Sequence, residues 1–229
     1  MIVAPVVAKT VRESLAQIAR ANSEADAIEL RLDYFEKLGE AELKRLIHAC
    51  KKPCICTCRT HGEGGKFRGT EAAAAQVLMA AAKLGSQYVD IEFVMKTALR
   101  KKVSQYAKKH GAKIILSRHF TSHTPSKKEL SSLLSKMAKE KSHVIKIVTK
   151  ASKRMDNEVV LGLFRAAKKH KTQLIAFCMG EHGKDSRVLS RLLGAFASFA
   201  SLGKGLESAE GQMTIEEFKK SENEMRSLI

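Results

Sequence analysis

The strongest constraint on the fold is a regular alternation of short apolar runs with longer amphipathic segments along the whole chain. Such runs predict buried strands, whereas apolar residues spaced three and four apart predict helices. The predicted strands span residues 2–8, 27–33, 53–59, 88–93, 112–117, 143–149 and 173–179, with a weak eighth at 201–206. The predicted helices span residues 10–21, 40–50, 70–84, 96–110, 126–140, 155–169, 186–199 and 214–221.

These eight strand–helix units favour a closed parallel (β/α)8 barrel, the TIM barrel of the α/β class. An open doubly wound sheet is less favoured, because no Gly-rich dinucleotide-binding turn follows the first strand. Only three prolines and no long Gly/Ser linker interrupt the units. We therefore expect one catalytic domain over residues 1–229.

The formal charge of +17 is compatible with nucleic-acid binding, because a basic surface attracts phosphates without a specific motif. The lysines, however, come as pairs spread over the predicted helices, and aromatic residues, which stack on bases, make up only 5% of the chain. We interpret the charge as a solvated surface that also attracts anionic substrates. A nucleic-acid-binding protein stays the alternative from another class, and it requires demonstrable binding at physiological salt.

The five cysteines fit free thiols in a reducing cytosol, since their number is odd and no CxxC spacing occurs. Cys54, Cys56 and Cys58 alternate along the third strand, so their sulfurs share one face. A metal cluster is one interpretation, and small apolar side chains packed under helices are the preferred one. No apolar stretch approaches the roughly 20 residues of a membrane span. We expect a soluble, cytoplasmic protein.

Ionisable side chains recur on one face of several predicted strands, where burial is costly unless they form a site. In the second strand, Glu29, Arg31 and Asp33 alternate with apolar residues. The same parity places Arg59 at the end of the third strand, Asp90 and Glu92 on the fourth, His119 at the end of the fifth and Lys146 within the sixth. Because barrel active sites form at the C-terminal ends of the strands, we expect these groups to meet there.

Lys146 and His119 together suggest a chemistry, although either alone would also fit a structural role. We expect Lys146 to face Arg31 or Arg59, which would disfavour its charged form and leave an amine that can attack a ketone. The resulting imine is an electron sink, and His119 can move protons to and from the neighbouring atoms. Arginines can bind a carboxylate through paired contacts. No metal-site spacing such as HExxH occurs, so no metal is needed.

Six short motifs follow one another in a characteristic order. They are Glu29-Leu30-Arg31-Leu32-Asp33; Arg59-Thr60-His61-Gly62-Glu63-Gly64-Gly65; Ser117-Arg118-His119 with Thr124-Pro125; Ile145-Lys146-Ile147-Val148; Met179-Gly180 with Gly183 and Ser186-Arg187; and Ser208-Ala209-Glu210-Gly211-Gln212. In this order they resemble the type I 3-dehydroquinate dehydratase family over nearly the whole chain. The resemblance implies a cofactor-free barrel lyase of the shikimate pathway, which removes water from 3-dehydroquinate.

The resemblance also implies roles for individual side chains. Lys146 is similar to the Schiff-base lysine, His119 to the general base and acid, and Glu63 to the carboxylate that orients this histidine. The implied substrate-binding residues are Arg187 on the carboxylate, Glu29, Arg31 and Arg59 around the hydroxyls, and Ser208 and Gln212 on a mobile loop that closes over the ligand, with Met179 as an apolar wall.

Two positions depart from the family's pattern. The family often has Asp directly after the histidine, where this chain has Phe120, and a proline before the Gly-Gln pair, where it has Glu210. The first departure removes a polar group that could support the histidine, and the second removes a proline that would stiffen the closing loop.

The alternative among enzymes is a class I aldolase, which would share the lysine but normally act on phosphorylated sugars. The Glu29/Arg31 pair and the Ser208 to Gln212 loop favour the dehydratase, whose substrate carries a carboxylate. We expect a homodimer that binds this small molecule and has neither a nucleic-acid nor a membrane partner.

Overall fold

The computed structural model describes residues 1–228, and eight parallel strands form its centre. The strands are β1 Ile2–Val6, β2 Ala27–Arg31, β3 Cys54–Thr57, β4 Tyr88–Glu92, β5 Lys113–His119, β6 Val144–Lys150, β7 Gln173–Met179 and β8 Ser198–Phe199. The α-helices are α1 Val11–Glu24, α2 Glu40–Ala49, α3 Glu71–Lys83, α4 Thr97–Lys109, α5 Lys127–Ala138, α6 Met155–Leu161, α7 Leu163–Lys169, α8 Lys184–Leu192 and α9 Ile215–Arg226.

The strands lie side by side in the order β7-β6-β5-β4-β3-β2-β1-β8, with parallel pairing throughout. Between β7 and the segment that leads into β8, the Phe196 nitrogen donates a hydrogen bond to the Leu174 carbonyl at 2.9 Å. The sheet therefore nearly closes on itself, with helices between the strands. The predicted (β/α)8 barrel is confirmed.

The eighth strand lies at Ser198–Phe199, so its prediction at residues 201–206 is wrong. The preceding helix, predicted to reach residue 199, ends at Leu192. Gly194 follows with a φ of +90°, a left-handed conformation that commonly ends helices. Because α8 stops early, Ser198 and Phe199 are free to pair with Ile2 and Val3 of β1.

Side-chain caps fix where several helices begin. Thr10, Ser126 and Thr214 each accept a hydrogen bond from the backbone N–H three residues on. The glutamate side chain at that position in turn accepts one from the backbone N–H of the cap residue. These capping boxes mark the first turns of α1, α5 and α9. The helix predicted over residues 155–169 is interrupted at Gly162, which separates α6 from α7.

The outward side chains of the strands pack under the helices. Cys54 and Cys56 lie in an apolar cluster with Leu46 of α2, and Cys58 lies in a second cluster with Leu78 of α3. All five thiols are free, and burial raises the pKa of the Cys58 thiol. Within residues 1–228, no three His, Cys, Asp or Glu side chains are placed to hold a metal ion. These cysteines act as small apolar side chains.

None of the helices described in residues 1–228 has the length and apolar character needed to cross a bilayer.

Candidate active site

A cavity of about 220 Å³ lies where the C-terminal ends of the strands meet. It collects all the side chains to which the family resemblance assigns a role in catalysis or substrate binding. These are Glu29, Arg31, Arg59, Glu63, His119, Lys146, Arg187, Ser208 and Gln212. Apolar and small side chains complete its wall, among them Val148, Phe177, Met179 and Phe199.

Lys146 projects from β6 into this cavity and is 5% exposed. Its Nζ lies 3.2 Å from Asp90 Oδ2, 3.5 Å from Glu29 Oε1 and 4.1 Å from the centre of the Phe199 ring. The expectation that Lys146 faces Arg31 or Arg59 is therefore wrong. Its neighbours are two carboxylates, because β2 and β4 both direct acidic residues towards it. The carboxylates hold the amine at a fixed place in the cavity.

Arg59 contacts the same Asp90 oxygen as Lys146 and organises the acidic residues of β4. Its Nη2 is 2.8 Å from Asp90 Oδ2, and its Nη1 is 3.2 Å from Glu92 Oε1. The same Nη1 donates to Ser117 Oγ at 2.9 Å. Burial alone would raise the pKa of Asp90, but the Arg59 and Lys146 cations lower it well below its usual range. Strand parity placed Asp90 and Glu92 at this end of the barrel, but no role in the site was predicted for either.

His119 ends β5 and is held by Glu63, which lies in a short turn after β3. Glu63 Oε2 accepts the His119 backbone N–H at 3.1 Å and lies 3.1 Å from ring Nδ1. Burial lowers the pKa of His119 well below its usual value, and the nearby Arg59 and Lys146 cations lower it further. The ring is consequently neutral at neutral pH, which is the form that can accept a proton.

Arg187 is the one site arginine without an acidic neighbour in the described part of the chain. It is 1% exposed, and its guanidinium carbon lies 4.4 Å above the Phe177 ring. Nε has no hydrogen-bond partner, and Nη2 has only a long contact of 3.4 Å to the Glu210 carbonyl. Burial lowers the pKa of Arg187 to about 10. Such a buried, unpaired guanidinium suits an incoming carboxylate.

Arg31 is already paired, in contrast to Arg187. Its Nε and Nη2 donate to the two carboxylate oxygens of Asp33, both at 2.8 Å, and Tyr34 stacks on it at 5.0 Å. The fixed guanidinium forms one wall of the cavity.

Residues 208–212 line the cavity and are held by contacts within the loop and with Gly180 after β7. Gln212 Oε1 accepts the backbone N–H of Ser208 at 2.7 Å and the Ser208 hydroxyl at 3.2 Å. The Gln212 Nε2 is buried without a partner. Gly211 has a φ of +71°, and a Cβ there would lie 2.3 Å from the Gly180 carbonyl oxygen. Glycine is therefore required where the loop touches the end of β7.

A family model described as type I 3-dehydroquinase matches residues 2–227. The chain belongs to the type I 3-dehydroquinase family. Relatives named 3-dehydroquinate dehydratase include one from Coxiella burnetii, 37% identical over 208 residues, which are 91% of this chain and 86% of the relative. A relative of the same name from Thermococcus gammatolerans is 37% identical over 219 residues, which are 96% of each chain.

The fold of the family is found in solved structures too. The structure of 3-dehydroquinate dehydratase from Enterococcus faecalis is similar with a TM-score of 0.86 and 26% identity, and the match covers 97% of this chain and 92% of that one. The resemblance recognised in the six motifs is confirmed. The chain therefore belongs with the dehydroquinases and not with the aldolases.

The side chains at the two departures from the family's pattern, Glu210 and Phe120, each contact a basic residue near the cavity. Glu210 pairs with Lys150 of β6 across the cavity mouth, with 2.7 Å between Oε2 and Nζ, so its side chain connects the loop to the barrel. Phe120 lies under the guanidinium of Arg118, at 4.5 Å from the ring centre. Lys150 lines the cavity, and sequence reasoning missed it.

Proposed function

We propose that this chain dehydrates 3-dehydroquinate to 3-dehydroshikimate through a Schiff base on Lys146. The observation that carries the proposal is the joint placement of Lys146, His119 and the unpaired Arg187 in one cavity. Lys146 supplies a nucleophile for the ketone, His119 a base for the adjacent proton, and Arg187 a cation for the carboxylate. The names of the Coxiella burnetii and Thermococcus gammatolerans relatives specify the same reaction.

Substrate binding begins at Arg187 in this scheme. Its free Nε can donate to the substrate carboxylate, and the ion pair relieves the cost of a buried, uncompensated charge. The unpartnered Nε2 of Gln212 supplies a second donor from the covering loop. The hydroxyl groups of the substrate then face Glu29 and Arg31.

The covalent step takes place at Lys146. The Lys146 side chain transfers one proton to a base in the cavity, and its amine then attacks the ketone carbon, so that a C–N bond forms. The carbonyl oxygen takes up that proton and one proton from the nitrogen and leaves as water, which yields the protonated imine. Asp90 and Glu29, at 3.2 and 3.5 Å, remain beside the nitrogen and stabilise the positive charge of the protonated imine. The imine acidifies the proton on the neighbouring carbon, since it can take up the electron pair of the broken C–H bond.

His119 carries out both proton transfers. With Nδ1–H directed at Glu63, its Nε2 is free to take the proton from that carbon, which leaves an enamine. The enamine electrons then expel the hydroxyl group on the next carbon, and His119 returns its proton so that this group leaves as water. Hydrolysis of the imine releases the conjugated product and restores Lys146.

We propose that the reaction needs no metal or organic cofactor, because the imine supplies the electron sink. Ultraviolet absorbance follows the conjugated product directly when purified protein is mixed with 3-dehydroquinate. We expect turnover that survives exhaustive chelation and dialysis, and none for Lys146→Ala. Activity that returns only with a divalent ion contradicts the mechanism, and no turnover by the native chain contradicts the function.

A further inference from the structure

Arg118 makes the shortest ionic contact of the whole site, although it does not line the cavity. Its Nη1 lies 2.6 Å from Glu63 Oε1, while the other oxygen of the same carboxylate holds His119. The same Nη1 also donates to the His119 carbonyl at 3.2 Å. One guanidinium thus touches both partners of the carboxylate–imidazole pair.

Phe120 fixes the position of that guanidinium. The Arg118 guanidinium carbon lies 4.5 Å from the centre of the Phe120 ring, a distance at which cation and ring attract each other. Within residues 1–228, Glu63 is the only carboxylate within 4.0 Å of Arg118. An aspartate in place of Phe120, as the family often has, would offer Arg118 a competing carboxylate. The aromatic ring offers no carboxylate, so Arg118 pairs with Glu63 alone among the described residues.

We infer that Arg118, stacked on Phe120, is a positioning residue that holds the Glu63 carboxylate in place with its Oε2 directed at His119 Nδ1. The inference rests on the proposed roles of His119 and Glu63. Arg118 lies far closer to Glu63 than Arg59 does, at 2.6 against 3.6 Å, and Arg59 also pairs with Asp90 and Glu92. Arg118 is therefore the cation best placed to hold this carboxylate.

The direction of the pH effect follows from the surrounding charges. The charged groups that face the Glu63–His119 pair are Arg31 from β2, Arg59 after β3, Asp90 and Glu92 from β4, Arg118 from β5 and Lys146 from β6. Burial raises the pKa of Glu63, while Arg59 and Arg118 oppose that rise. Removing the Arg118 charge favours proton uptake by the pair. The acid limb of the kcat profile then moves to higher pH.

The test compares Arg118→Gln, Arg118→Lys and Phe120→Leu with the native protein by kcat, KM and pH profile. Arg68→Gln is the matched control, because Arg68 is exposed, lies outside the cavity and has no ion pair in the described residues. We expect Arg118→Gln to lower kcat about tenfold and shift the acid limb up by roughly one pH unit. KM should change less than about twofold. Arg118→Lys should keep most of the native pH profile. Phe120→Leu should have a kcat and an acid limb between those of the native protein and Arg118→Gln.

Borohydride trapping of substrate on Lys146 separates this inference from the proposed function. Trapping should persist in Arg118→Gln, since Arg118 does not touch the amine. If the native protein neither traps nor turns over substrate, the proposed function fails. If it does both, and Arg118→Gln keeps the native kcat and pH profile, the role of Arg118 is overturned. An equal shift in Arg68→Gln, or no rescue by Arg118→Lys, also overturns it.

Discussion

Glu63 contacts His119 twice through one oxygen: Oε2 lies 3.1 Å from the backbone nitrogen and 3.1 Å from ring Nδ1. An ionised carboxylate can only accept hydrogen bonds, so Nδ1 carries the ring proton. Nε2 is then the basic atom of a neutral imidazole. The double contact therefore sets both the tautomer and the orientation of the ring before any substrate arrives.

The ring of His119 should stay neutral through the range in which histidines ordinarily titrate, about pH 6.5. Burial first, and then the Arg59 and Lys146 cations, lower its pKa well below that value. Nuclear magnetic resonance of ring signals against pH checks this, with the His119 signal assigned by its loss in His119→Asn. A His119 midpoint near the ordinary value would show that the ring is not buried among cations as described.

Arg187→Met should weaken substrate binding and stabilise the ligand-free protein. The variant loses the carboxylate clamp, so KM should rise roughly 100-fold, as for a lost charge-assisted pair of hydrogen bonds. It also removes a buried charge without an acidic partner, which should raise the free energy of unfolding by about 1 kcal/mol. Arg187→Lys is the control that keeps the charge. A native KM in Arg187→Met would exclude Arg187 as the carboxylate site.

Gln212→Ala should raise KM more than it lowers kcat, with the fold intact. The side chain organises the loop through Ser208 and has a buried Nε2 free for the ligand, and in the described residues Lys146 bonds to Glu29 and Asp90 and not to Gln212. A loop that only covers the site affects binding and water exclusion before it affects proton transfer. Steady-state kinetics with circular dichroism decides this, and an unchanged KM counts against a lid at residues 208–212.

Glu210→Gln should make loop closure weaker and less sensitive to salt. The Glu210–Lys150 pair is 2.7 Å long, but both side chains are partly exposed, so it contributes at most about 1 kcal/mol. KM should therefore rise no more than about fivefold, and its dependence on salt should flatten. Glu207→Gln makes the same charge change at an exposed site outside the cavity. Identical salt slopes in the two variants would argue that no ionic contact holds the loop.

Strand parity predicted which side chains point into the barrel, but it did not predict which of them contact one another. Alternation along β2 and β4 placed the acidic residues towards the interior, but spacing in one strand cannot say which residue of another strand lies beside it. Lys146 therefore meets Asp90 and Glu29 instead of an arginine. That outcome depends on the stagger between neighbouring strands, which is a property of the closed barrel.

The position of the eighth strand and the role of Arg118 could not be predicted from the sequence, for different reasons. Ser198–Phe199 is a two-residue strand, too short for any periodicity, and it is defined by its pairing with β1. Arg118 belongs to a quoted motif, but its importance comes from a 2.6 Å contact with Glu63, 55 positions away in sequence. The expected homodimer and the absence of nucleic-acid binding stay predictions.

Borohydride reduction in the presence of substrate, followed by peptide mass mapping, tests most directly whether Lys146 forms the imine. We expect irreversible attachment at Lys146 alone in the native protein. His119→Ala should still be trapped, because its step follows imine formation, while turnover falls roughly 100-fold or more. Lys146→Ala should lose both trapping and turnover. The variant with both His119→Ala and Lys146→Ala should turn over substrate little more slowly than Lys146→Ala alone. Trapping on another lysine, or near-normal turnover by Lys146→Ala, would contradict the assignment of Lys146 as the Schiff-base residue.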